Sequence, residues 1–150
     1  MPVRCLSITA VLAAIMVVNP HGASAQTASM TDFGYYKSHV EPIFLRKKAG
    51  HTRCYVCHSE ANRAFRLQRL APGRSSWTPE QSKQNFEIAS ALVTPGDPDH
   101  SRLLIHPLAP EGGGDAFHSG GRQFASKEDP DWRILAAWVN GAKDAVPVKR

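Results

Sequence analysis

The chain has 150 residues, with 18 lysines and arginines against 13 acidic residues and a formal charge of +5. That length fits a single domain. So modest a positive excess, without interleaved aromatic and basic repeats, argues against nucleic acid as a partner and leaves docking to an acidic protein or plain solubility as its use.

Residues 1–25 read as a signal peptide. Arg4 supplies a positive start, and Leu6 to Val18 is an almost unbroken apolar run. The run is short for a bilayer span and matches a secretory apolar region. Asn19-Pro20-His21-Gly22 breaks it, and Ala23-Ser24-Ala25 has the small side chains that a signal peptidase reads. Cleavage there leaves Gln26 to Arg150, removes Cys5 and removes no charged residue other than Arg4. The expected location is periplasmic or secreted, with no stable membrane insertion after cleavage.

Residues 26–31 are expected to be a flexible N-terminus. The domain proper is expected over 32–142, with a C-terminal tail at 143–150. Asp32 can cap a first helix over about 32–48, in which Phe33, Tyr36, Val40, Ile43 and Phe44 recur at helical spacing. Pro42 falls inside that pattern and should kink or restart it. Residues 59–77 read as irregular.

Thr78-Pro79-Glu80-Gln81 combines a capping threonine, a proline at the first helical position and glutamine at the capping-box position. The helix it opens should run to about Leu92. Pro95-Gly96 marks a turn, and Asp97-Pro98 opens a short helix that Pro107 stops. Residues 109–124 form a loop with five glycines. Asp129-Pro130 then caps a last helix of about 130–141, burying Trp132, Leu135, Trp138 and Val139 and ending at Gly141. No strand pair and no repeat is evident. The fold class is therefore mainly α with long loops, which suits a small domain built around a bound group.

Cys54-Tyr55-Val56-Cys57-His58 is C-x-x-C-H, the attachment signature of c-type haem. Two intervening residues let one turn of chain bring both sulfurs to the two former vinyl groups of the porphyrin. The next residue then offers an imidazole nitrogen to the iron. A disulfide is the default for paired cysteines in an oxidising compartment, and His58 directly after Cys57 overturns that default. A thioredoxin-like pair would follow a strand, and none precedes Cys54. A zinc site would need a second ligand pair at finger spacing, and none follows.

From Tyr35 to Gly141 the chain resembles class I-like monohaem cytochromes c. The resemblance is carried by Val40-Glu41-Pro42-Ile43-Phe44, the C-x-x-C-H motif and the tryptophan-bearing helix Trp132 to Gly141. The interior, from Asn85 to Phe124, is similar to bacterial exported cytochrome c-like proteins. The resemblance implies a small helical domain with long loops wrapped around one covalent haem, first and last helices crossing beside it, and electron transfer with redox partner proteins. Phe44 and Trp138 loosely match the aromatic residues of that crossing.

One departure stands out. The family pattern places a methionine ligand before the last helix, whereas the methionines here are Met1, Met16 and Met30. The sixth ligand is therefore expected to be histidine, with an open site or Met30 as the alternatives. His118, in the glycine-rich loop beside Gly120-Gly121, is the favoured distal ligand. His106, beside Pro107 at the end of an apolar run, is the runner-up and is expected to be buried. His39, His51 and His100 read as surface residues. Arg66, Arg69, Arg74 or the indole N–H of Trp77 are candidates to hold the haem propionates. Two functions stay open: an electron carrier with two histidine ligands and no enzymatic activity, or a ligand-binding, sensor or peroxidase-like protein with an open iron position.

Overall fold

The structure is a computed structural model that describes residues 31–60 and 64–144. The expected signal peptide, nearly all of the expected flexible N-terminus and most of the C-terminal tail lie outside these residues. The domain is small and mainly helical, with loops between the helices and no strand among the described residues. The nearest approach to a sheet is one isolated parallel bridge, Leu108 to Phe124. No helix among the described residues is long and apolar enough to cross a membrane.

Asp32 caps the first helical turn, its carboxylate accepting from the Tyr35 N–H at 2.7 Å. Helix α1 (Phe33–Tyr35) passes into a π turn, Tyr36–Val40, and then into α2 (Glu41–Leu45). Proline explains the widened turn. Pro42 has no N–H to donate, and its ring would clash with the carbonyl one turn back, so the ladder loosens before it. The Glu41 N–H accordingly reaches the Tyr36 carbonyl, five residues back. This helix ends at Leu45, earlier than the pattern predicts. Arg46 turns extended, and Arg46 and Lys48 instead reach Asp131 and Asp129 at the start of the last helix.

The C-x-x-C-H motif is itself a short helix, α3 (Cys54–His58). Helix α4 (Pro79–Ser90) starts with both halves of the capping box formed between Thr78 and Gln81. It stops two residues short of the predicted end. The predicted short helix is two pieces, a 3₁₀ turn Pro98–His100 and α5 (Arg102–Ile105). Ser101 separates them. It is buried, and its hydroxyl donates to the Asp97 carbonyl at 2.7 Å, which competes with continuous helix. Helix α6 (Pro130–Val139) closes the fold, capped by Asp129 as predicted.

The first helical segment packs on α6. Tyr36 and Trp138, both fully buried, meet there with ring centres 5.5 Å apart. The Trp138 indole N–H donates to the Asp32 carbonyl at 3.0 Å, tying the last helix to the cap of the first. Phe44 stands beside this crossing rather than in it, against Tyr36 at 6.3 Å and Phe65 at 5.1 Å.

Candidate functional site

A cavity of about 510 Å³ opens in the domain. Its size lies in the range of roughly 300–1,000 Å³ that small-molecule and cofactor sites occupy. Ile43, Phe44, Phe65, Leu103, Phe124 and Leu135 give it apolar walls, and Cys54, Cys57, His58, His106 and His118 stand on the same walls. Residues distant in sequence therefore converge on one space.

Helix geometry places the first three. Cys54, Cys57 and His58 are three and four residues apart on α3, so they share a face. No disulfide joins the two cysteines. Burial pushes the Cys54 thiol up to about 11. A dithiol redox pair requires the opposite shift, toward the thiolate. No group of three or more acidic, cysteine or histidine side chains placed to hold a metal ion occurs among the described residues.

The His58 Nδ1–H donates to the Phe65 carbonyl at 2.8 Å. A carbonyl only accepts, so Nδ1 carries a proton. Such a hydrogen bond fixes the orientation of a ligating ring and raises its basicity. His118 repeats the device, donating from Nδ1 to the Gly121 carbonyl at 2.6 Å. Gly121 has φ +80°, a left-handed conformation that glycine adopts without steric cost, and this turn carries the carbonyl to the ring. His58 and His118 stand 6.2 Å apart between ring centres, with planes inclined by 23°.

His106 keeps 31% of its side chain exposed rather than being buried, because it lines the open cavity. Its Nδ1 pairs with the Asp115 carboxylate at 2.7 Å, and its ring meets that of His118 edge-on at 4.9 Å. The sequence marks Asp115 only as a turn residue. Its partnership depends on the loop folding back, where the Asp115 N–H donates to the Ile105 carbonyl at 3.1 Å. Gly114 makes that return possible, since a Cβ there would lie 2.0 Å from the Leu108 carbonyl oxygen.

No family model matches the chain, and no curated relative or solved structure does. The site therefore rests on its own residues. His39 pairs with Asp144 and His100 with Asp97, both at the surface. The expected propionate partners fall elsewhere. The Trp77 indole N–H donates to the Gln68 carbonyl at 2.6 Å, Arg69 pairs with Glu60, and neither Arg66 nor Arg74 lines the cavity. The arginines that do line it among the described residues are Arg53 and Arg102.

Proposed function

We propose that this chain is an exported electron carrier, a c-type cytochrome similar to the class I monohaem family, with one haem bonded covalently to Cys54 and Cys57 and held between His58 and His118. The observation that carries the proposal is the pairing of those two imidazoles in a cavity that also bears both cysteines. Two imidazoles sharing one metal through facing nitrogens have ring centres roughly 6 Å apart, because a metal–imidazole bond is about 2.0 Å. The separation of 6.2 Å agrees with that arrangement.

The bound haem supplies a one-electron couple at its iron. The chain's own residues do the rest. Cys54 and Cys57 would fix the ring in one orientation. His58 and His118 each keep a proton on Nδ1 and so present Nε2 as the donor. Phe44, Phe65, Leu103 and Leu135 line the cavity and would keep water from the bound group, which would hold its surroundings nearly unchanged as charge is gained or lost. Two neutral imidazoles set a potential below that of a histidine–methionine site. Periplasmic or secreted redox proteins are the partners this function requires.

The ferric spectrum of the purified holoprotein tests the proposal. Optical and paramagnetic resonance signals of low-spin iron, with reversible one-electron cycling, are the expected result. A high-spin ferric spectrum would overturn the two-histidine arrangement and move the function to ligand binding at an open iron.

A further inference from the structure

Among the described residues the cavity is lined by two arginines, Arg53 and Arg102, and by no acidic residue. The described arginine ion pairs are Arg46–Asp131, Arg69–Glu60 and Arg133–Glu128. Among the described residues neither Arg53 nor Arg102 enters one. Both side chains are exposed, so water satisfies the charges; their position is what matters. An apolar cavity bordered by cations suits an amphiphile with an apolar body and carboxylate ends, since a guanidinium grips a carboxylate through two parallel N–H donors.

The two arginines stand in different places. Arg53 immediately precedes Cys54, on the helix that would carry both thioether bonds. Arg102 opens α5, an element packed on α6. It lies four residues before His106, hence on the same helix face, and that face lines the cavity. Its backbone is well held. Ser101 beside it is fully buried, and the Leu103 N–H donates to the Leu92 carbonyl at 3.0 Å. In a tetrapyrrole bonded through its two vinyl carbons, the two carboxylates lie on the edge away from those bonds. Arg53 adjoins Cys54 in the chain, whereas Arg102 stands on a separate element, α5, which makes Arg102 the candidate to meet them.

We infer that Arg102 receives a carboxylate of the bound tetrapyrrole and so orients the ring, while Arg53 does not. This inference rests on the proposed function. A cation at that carboxylate disfavours the oxidised, more positive iron, so its loss lowers the potential.

The test uses the full holoprotein and begins with intact mass, which reads covalent attachment independently. A chain without haem defeats the proposed function and this inference with it; a haem-bearing chain isolates the inference. Arg102→Gln should shift the ferrous–ferric equilibrium about tenfold toward ferric, equivalent to about 59 mV for one electron. Arg102→Lys should restore most of that shift, and Arg53→Gln, which removes a charge but no carboxylate contact, should give a clearly smaller one. Equal potentials for Arg102→Gln and the wild type, or an effect confined to Arg53→Gln, would overturn the assignment. If Arg102→Gln gives no holoprotein, Arg102→Lys decides through resonance Raman. Its propionate bending band should move because the bidentate fork is lost, and an unmoved band would contradict the role of Arg102.

Discussion

His58 and His118, sixty residues apart in the chain, stand 6.2 Å apart between ring centres in one cavity, each hydrogen-bonded from Nδ1 to a backbone carbonyl. His58 stands on a helix and His118 on a loop shaped by Gly120 and Gly121. If both bind the iron, the two positions respond differently to change.

The distal position gives the first prediction. His118→Ala should convert low-spin ferric iron to high-spin and open it to cyanide and, when reduced, to carbon monoxide. His118→Met should keep low spin and raise the potential, since only the axial donor changes. His106→Ala should leave the low-spin spectrum intact. Loss of low spin in His106→Ala, with retention in His118→Ala, would exchange the two roles.

The second prediction separates two glycines. Gly114→Ala places a methyl 2.0 Å from the Leu108 carbonyl oxygen, and backbone cannot step aside as a flexible side chain can. The expected cost is about 3 kcal/mol or more, at the upper end for overpacking. Gly121→Ala meets no atom within 4 Å but must hold φ +80°, which costs roughly 1–2 kcal/mol. Urea titrations of the two holoproteins should therefore rank Gly114→Ala as the less stable.

Two tryptophans of α6 supply the third. The Trp138 N–H donates to the Asp32 carbonyl, whereas the buried Trp132 Nε1 makes no hydrogen bond among the described residues. Trp138→Phe loses a bond worth about 0.5–1.5 kcal/mol and leaves the Asp32 carbonyl with the Tyr36 N–H alone. Trp132→Phe removes a donor that gains nothing. Thermal melts should show the larger loss for Trp138→Phe.

Much of this fold is legible in the sequence where local chemistry decides. Asp32, Thr78 with Gln81, and Asp129 cap helices as predicted, because a cap depends on residues within one turn. Pro42 marks the break in the first helix for the same reason. The loop is less readable. Nothing near His106 in the chain indicates that Asp115 returns to it, and an apolar stretch before it suggests burial where the structure has an open wall. Arg102 is likewise invisible as a cavity residue, since its role depends on where α5 docks and not on its neighbours. The convergence of His58 and His118 depends on the whole loop, so the sequence supports it only through the missing methionine and the glycines beside His118.

The cavity governs the fourth prediction. An empty apolar void costs about 24 cal/mol per Å³, so 510 Å³ corresponds to a ceiling on the order of 10 kcal/mol. The cavity opens to solvent, which keeps the true figure lower. Even so, it is comparable with the whole stability of a domain, about 5–15 kcal/mol. A Cys54→Ala, Cys57→Ala double variant without haem should be largely unfolded by circular dichroism. A native-like cooperative melt would count against a structural role for the bound group.

Covalent attachment at Cys54 and Cys57 is the claim on which the rest depends, and intact mass after acid–acetone extraction tests it most directly. The chain, exported from a host that matures c-type cytochromes, should keep its colour through the extraction and weigh as the polypeptide from Gln26 plus one haem. Both single variants, Cys54→Ala and Cys57→Ala, should lose one thioether bond. Haem that extracts freely, or a mass equal to the bare polypeptide, would contradict the account.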